Sequence, residues 1–160
     1  IAAPAAWVTG ALLLAAAAAS GARLTRWRRL ATAREPLLWP LHLGYAWLAL
    51  GLALLGLSAL WPGWPVMAGL HALTAGAIGT MIPAVMARAA LSHTGRAAVA
   101  VRGTALVHLL VSLSALLRIV AALTSDWYVP LLVASGISWV VAYALFALLY
   151  GRILLAPRRS

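Results

Sequence analysis

The sequence predicts an all-α, polytopic transmembrane bundle with five spans, and two observations carry this prediction. First, 65% of the 160 residues are hydrophobic and 9% are charged, whereas a soluble domain has about 45–50% apolar and about 25% charged residues. Second, the apolar residues fall into five segments that each approach the ~20 residues needed to cross a bilayer. We therefore interpret residues 1–160 as a single transmembrane domain whose first partner is the lipid bilayer.

The segment boundaries follow from proline, glycine and aromatic residues. The first segment is an Ala- and Leu-rich run. The second begins after Pro36, a residue favoured at helix starts, and ends in WPGWP (61–65), where Pro and Gly indicate a tight turn. The fifth begins at Trp127 and Tyr128, residue types typical of the membrane interface. The predicted spans are 3–22, 37–61, 65–90, 98–123 and 127–155.

The arginines predict the orientation of the bundle. All twelve basic residues are arginines, and all but Arg118 lie on alternate connections, whereas the WPGWP and TSDWY connections have none. Because arginines collect in cytoplasmic loops, the N-terminus is predicted outside the cell and the C-terminus in the cytoplasm. The three groups are Arg23, Arg26, Arg28, Arg29 and Arg34; Arg88, Arg96 and Arg102; and Arg152, Arg158 and Arg159.

Composition excludes several classes of function. The net charge of +10 arises from arginines that flank apolar segments, so no nucleic-acid partner is predicted. The absence of cysteine excludes thiolate-bound zinc, iron–sulfur clusters and a covalent haem link. The two acidic residues, Glu35 and Asp126, lie near span ends, so no carboxylate dyad or nucleophile–base pair is available for hydrolysis. No catalytic residue is predicted, and any activity would be redox chemistry at a haem or metal. Because the chain begins with Ile1, further sequence is expected upstream.

Histidines are the strongest candidates for a site. His42, His71 and His108 lie on three consecutive predicted spans, and His108 is placed near the midplane by its position about 10 residues into the fourth segment. Ionisable groups at such depth usually mark a functional site, although a neutral histidine also serves as a packing device that bonds a carbonyl or hydroxyl. Imidazole binds the iron of a b-type haem and also copper. The pattern favours a cofactor, with His71 completed by His108 or His42.

His93 has a separate interpretation at the cytoplasmic end of the third span. It opens the polar run His93-Thr94-Gly95-Arg96, which is typical of a helix C-cap. The alternative is that His93 binds a metal, or that Arg96 and its neighbours contact the acidic groups of a cofactor. His71 and His93 are 22 residues or about 33 Å apart if helical, so they cannot bind one iron.

Arg118 lies near the outer end of the fourth span, close in sequence to Asp126. A charge near a helix end usually reaches the interface and pairs with a carboxylate or lipid phosphate. The functional alternative is that Arg118 holds an anionic group such as a haem propionate.

Two motifs carry a family resemblance. HLGYAWLALGLALLGL (42–57), followed by LHALTAGAIGTMIPAVMARAALSHTGR (70–96), resembles the C-terminal half of the NnrS family over about residues 36–124. The resemblance implies a multi-pass protein of the bacterial inner membrane that contains haem b and copper and is linked to denitrification and nitric oxide stress. It carries over His42 with Gly44, Tyr45 and Trp47, His71 with Thr74 and Gly76, then Gly79, Thr80, Met81, Arg88, and His93-Thr94-Gly95-Arg96.

The expected function is a haem-binding, and also copper-binding, inner-membrane protein whose iron takes nitric oxide or another diatomic ligand. The candidate cofactor residues are His42, His71, His108 and Arg96, and the candidate metal ligands are His42, His71, His93 and His108. Because family members have more spans than the five found here, a homo-oligomer or an N-terminal half outside this sequence would complete the protein. Two alternatives stay open: a b-type cytochrome subunit for electron transfer, and a structural or transport subunit without a cofactor.

Overall fold

The computed structural model describes residues 4–26 and 37–158, and it confirms the all-α bundle. Within these ranges five helices are long and apolar enough to cross a membrane. Arg28, Arg29, Arg34, Glu35, Pro36 and Arg159 lie outside the described residues. The helices are α1 (Pro4–Arg26), α2 (Trp39–Leu60), α3 (Val66–His93), α4 (Thr104–Leu123) and α5 (Tyr128–Leu155).

Helix α4 begins later than the sequence predicts, at Thr104 rather than residue 98. The apolar run before Thr104 predicts an earlier start of the span, but Gly103 adopts a φ of 99°, a left-handed conformation that favours glycine. The backbone therefore turns at Gly103 and the helix starts immediately after it. As a consequence His108 is only four residues, or about 6 Å, from the start of α4 rather than near the midplane.

Helix α3 ends in a Schellman motif, which confirms that the run after His93 is a C-cap. The Arg96 N–H donates to the Leu91 carbonyl at 2.9 Å and the Gly95 N–H donates to the Ser92 carbonyl at 3.2 Å. Gly95 has a φ of 67°, as the left-handed position of this motif requires. The third span thus extends to His93, three residues beyond the predicted end.

The middle of α3 contains a π-helical segment that the sequence did not predict, Ala72–Ile78. The α-helix resumes at Gly79 and continues through Pro83. Because Pro83 has no N–H, it cannot bond the Gly79 carbonyl. The hydroxyl of Tyr143 on α5 donates to that carbonyl at 3.0 Å, so α5 satisfies the backbone group that the proline leaves open.

Helix α3 is the centre of the bundle. It packs against α2, α4 and α5, whereas α1 packs on α2 at the periphery. Close approach between α2 and α3 depends on glycine: a Cβ atom at Gly76 would lie 2.7 Å from the Trp47 ring. On the other side, Ser114 of α4 and Ser135 of α5 join their helices through hydroxyl contacts of 2.9 Å. Small residues thus allow close packing where no aqueous hydrophobic effect drives association.

The bundle has two ends with different composition. The arginine end holds the starts of α2 and α4, the ends of α3 and α5, and the arginines of the 94–103 loop. The tryptophan end is the opposite one, where Trp61, Trp64 and Trp127 lie in or beside the short connections. At this end the backbone N–H of Trp64 donates to the Trp61 carbonyl, and Gly63 has a φ of 100°. Both features confirm the predicted WPGWP turn. The orientation of the two ends across the membrane stays a prediction.

Candidate cofactor site

The four histidines divide between the two ends of the bundle. His42 and His108 lie one turn into α2 and α4, and His93 is the last residue of α3, so all three belong to the arginine end. His71 is the sixth residue of α3 and belongs to the tryptophan end. The structure therefore separates His71 from the three other histidines.

His108 is completely buried, with 0% of its surface exposed. Its Nδ1 lies 2.8 Å from the Thr104 carbonyl oxygen. Because a carbonyl only accepts, Nδ1 carries the proton in the neutral ring and Nε2 presents its lone pair. Nε2 is buried and has no hydrogen-bond partner among the described residues. A buried polar atom without a partner is costly, so this nitrogen is a candidate ligand atom.

Two aromatic residues that the sequence analysis missed hold His108 in place. The Trp39 ring of α2 lies edge-on to the His108 ring at 5.8 Å. The Tyr150 hydroxyl of α5 lies 2.7 Å from Thr104 Oγ1, and Thr104 Oγ1 itself donates to the Val101 carbonyl at 2.7 Å. Tyr150 is therefore the donor to Thr104, and this chain fixes the first turn of α4. Only the position of Trp39, one helical turn before His42, could have indicated such a role.

His42 repeats the geometry of His108 on a neighbouring helix. Its Nδ1 lies 3.1 Å from the Leu38 carbonyl, four residues earlier, as His108 bonds the carbonyl of Thr104. The His42 side chain is half-buried, and Trp39 connects its helix to His108. Two imidazoles with Nδ1 directed at their own helix thus begin α2 and α4 at the same end of the bundle.

A cleft at the arginine end gathers several of the predicted polar residues. It has a volume of ≈ 580 Å³ and includes Arg88, His93 and Arg96, together with Leu41 beside His42. Arg96 also donates from Nη1 to the Ile153 carbonyl at 3.1 Å, near the C-terminus of α5, where a cation complements the helix dipole. His93 is exposed. The structure therefore supports the capping interpretation and also places Arg88, His93 and Arg96 together.

The site around His71 is different. His71 is half-buried in a cleft of ≈ 670 Å³ that is lined by the end of α4 and the start of α5, including Ala121 and Tyr128. Ala121 is 13 residues from His108 on α4, which is about 20 Å along the helix. The structure does not bring His71 and His108 together, because α4 begins at Thr104 and places His108 at the other end.

The described residues also form no larger cluster of possible metal ligands. Among the residues that the structure describes, no group of three or more His, Cys, Asp or Glu could hold a metal ion. Arg118, also at the tryptophan end, makes no hydrogen bond or ion pair with a described residue; Asp126 instead accepts a hydrogen bond from Ser125 at 3.2 Å. The expected Arg118–Asp126 pair is therefore not formed.

Comparisons with known proteins supply the family. Neither the curated proteins nor the solved structures contain a match to the chain. The family model described as NnrS protein matches residues 1–158. This match extends beyond the two motifs to include α1 and α5. Because it covers essentially the whole sequence, the chain belongs to the NnrS family.

Proposed function

We propose that the protein binds haem at the arginine end of the bundle, with His108 as a ligand to the iron, and that it acts in the response to nitric oxide. Membership of the NnrS family points to a membrane protein of the nitric oxide response. The single observation that supports a haem at this place is the buried Nε2 of His108, which has no partner among the described residues.

The donor chemistry of His108 fits iron. A histidine that ligates a metal usually donates its other ring N–H to a carbonyl or carboxylate, which fixes the tautomer and the ring orientation. His108 has this arrangement, because Nδ1 faces the Thr104 carbonyl. Three buried side-chain atoms lack partners in the described part, and the two others are an indole nitrogen and a threonine hydroxyl. His108 Nε2 is the one among them with an imidazole lone pair, the usual protein ligand of haem iron.

His42 is the candidate for the second ligand. It has the same bond from Nδ1 to its own helix, and it lies one turn from Trp39, which contacts His108. The cleft with Arg88, His93 and Arg96 is also lined by Leu41, the residue before His42, and its guanidinium groups would hold the propionates. A haem held here would supply a binding position for nitric oxide if His108 were the fixed ligand and His42 a displaceable one, or electron transfer if both histidines were fixed ligands.

Copper has no comparable support from geometry. His71 stands apart from the other three histidines, and the described residues form no three-donor group. We therefore assign haem to the proposed site and place no metal at His71. We further propose a bacterial inner membrane with the arginine end in the cytoplasm, since eleven of the twelve arginines lie on alternate connections of the sequence, as cytoplasmic arginines do.

The test is the absorption spectrum and iron content of the full chain purified from haem-replete cells, for wild type and for His42→Ala, His71→Ala, His93→Ala and His108→Ala. We expect wild type to bind haem, His108→Ala to lose it, and His71→Ala to retain it. Helical circular dichroism checks that each variant is folded. Nitric oxide is then added to the reduced protein, and a shifted spectrum is expected.

Two results would contradict the proposal. A folded wild-type protein without iron would favour a structural or transport subunit. A low-spin haem that does not respond to nitric oxide would leave the site in place but favour a b-type cytochrome for electron transfer.

A further inference from the structure

Helices α3, α4 and α5 form a third groove, which has no histidine in its lining. His71 lies one helical turn before Thr74 of this groove and is close enough to Arg118 to interact electrostatically with it. The groove has a volume of ≈ 440 Å³ and is lined in part by Thr74, Ile78, Ile82, Arg118, Gly136 and Tyr143. We refer to it as the Arg118 groove. Its walls are largely apolar; Ile78 and Ile82, for example, keep about half of their surface exposed, at 55% and 45%. In a membrane-spanning bundle, such surface faces lipid.

Charge is confined to one end of the Arg118 groove. Arg118 lies five residues before the end of α4 at Leu123, or about 8 Å below the tryptophan end. Ile82 on α3 is 16 residues from the helix start, or about 24 Å deep. The groove therefore runs from the guanidinium near one surface to about the middle of α3, whose 28 residues are about 42 Å long and exceed the hydrocarbon core of about 30 Å.

Two other polar groups of the groove are already engaged, and Trp139 adds an indole N–H to the lining. The Tyr143 hydroxyl donates to the Gly79 carbonyl at 3.0 Å, and the Thr74 hydroxyl donates to the Leu70 carbonyl at 2.7 Å. Arg118 has no hydrogen bond or ion pair with a described residue. A ligand would therefore meet the Arg118 guanidinium at one end and mostly apolar surface, with the Trp139 indole, along the rest. This lining suits a molecule with one anionic end and one apolar chain.

We propose that the Arg118 groove binds an anionic phospholipid, with its phosphate on the Arg118 guanidinium and one acyl chain along Ile78 and Ile82. A guanidinium matches phosphate oxygens with two parallel hydrogen bonds. The phosphate also neutralises a charge that is costly to leave unpaired within a span. The length and direction of the groove match a chain that descends through one leaflet.

The structure offers matched variants for a test. Gly136 lines the groove and Gly151 lies further along α5, and a Cβ atom at either position would meet nothing within 4 Å. Leucine at Gly136 would occupy the groove, whereas leucine at Gly151 would not. For the charge, Arg118→Gln is compared with Arg152→Gln, which removes an exposed arginine near the end of α5.

The experiment is native mass spectrometry of the full chain in detergent, titrated with phosphatidylglycerol, phosphatidylcholine or palmitate. We expect phosphatidylglycerol to bind best, and Arg118→Gln and Gly136→Leu each to weaken its binding about tenfold, the scale of a lost charged hydrogen bond. Arg152→Gln and Gly151→Leu should leave binding unchanged. If Arg118→Gln does not fold, Gly136→Leu against Gly151→Leu carries the test alone.

Three results would overturn the proposal. Equal binding of phosphatidylglycerol and phosphatidylcholine in every variant would show that Arg118 does not select the head group. Preferential binding of palmitate would assign the groove to a free fatty acid. Loss of haem from Arg118→Gln without a change in lipid binding would assign Arg118 to the cofactor.

Discussion

His108 and His71 occupy similar positions in their helices but differ in every other respect. His108 is the fifth residue of α4 and His71 is the sixth residue of α3. The ring of His108 is completely buried, oriented by the Thr104 carbonyl and covered by Trp39. The ring of His71 lies half-buried in an open cleft. Position in a span is therefore a poor guide to a ligand, and the helices that cover the residue decide its chemistry.

Among the substitutions that test this contrast between His108 and His71, removal of the Trp39 ring should change stability most. Trp39→Ala takes away the contact over His108, and we expect it to lower the free energy of unfolding by about 2 kcal/mol, below the 3–5 kcal/mol typical of fully buried tryptophan. Unfolding in mixed micelles measures this change. Trp127→Ala is the matched control, because Trp127 is 66% exposed. An equal loss of stability in both variants would show that the Trp39 contact with His108 adds nothing beyond an exposed tryptophan.

Removal of the Tyr150 hydroxyl tests whether its bond to Thr104 stabilises the first turn of α4, which carries His108. Tyr150→Phe removes the donor to Thr104 at 2.7 Å, and we expect a loss of about 1 kcal/mol, since the buried Thr104 hydroxyl would keep its own donor bond to Val101. Tyr128→Phe, at an exposed position of the tryptophan end, should change stability by less than about 0.5 kcal/mol. Indistinguishable unfolding of the two variants would show that Tyr150 does not fix the first turn of α4.

An apolar side chain at His108 should stabilise the haem-free protein while abolishing haem binding. His108→Leu removes a buried nitrogen that has no partner among the described residues, and we expect the free energy of unfolding to rise by about 1 kcal/mol. The measurement compares wild type and variant, both prepared from haem-deficient cells. A large loss of stability would instead indicate that His108 Nε2 has a hydrogen-bond partner and that the side chain stabilises the bundle through this bond.

The same substitution at His71 should have the smallest effect. His71→Leu changes a half-buried side chain in a cleft, so stability should stay within about 0.5 kcal/mol of wild type. The haem spectrum should be unchanged. A shifted spectrum in this variant would mean either that a change at the tryptophan end alters a haem at the arginine end or that the haem lies at the tryptophan end.

The fold was predictable from the sequence to a large extent, because the signals are strong and local. Apolar length predicts five spans, and residue types predict the WPGWP turn. For His93-Thr94-Gly95-Arg96 the residue types left both a C-cap and a ligand site open. The predicted start of α4 is wrong because the apolar run 97–101 is typical of a membrane helix, whereas the backbone turns at the left-handed Gly103 and the helix begins after it. The π-helical segment has no recognised signal in the sequence.

The candidate site was predictable only as a set of residues. The sequence indicates His42, His71, His93 and His108, but not which of them meet, since pairing depends on tertiary contacts between spans. Trp39 and Tyr150, which position His108, are separated from it by 69 and 42 residues in the chain. The bond between His108 Nδ1 and the Thr104 carbonyl also required coordinates, because it leaves Nε2 of this buried imidazole for a ligand.

The most direct test of the central claim is to replace the His108 imidazole with a free one. In His108→Gly, haem should be lost from the purified protein and restored, with a spectrum like that of wild type, when imidazole is added during reconstitution. The same treatment of His71→Gly should change nothing. An unaltered haem content and spectrum in folded His108→Gly without imidazole would contradict ligation by His108 and, with it, the assignment of the cofactor to the arginine end.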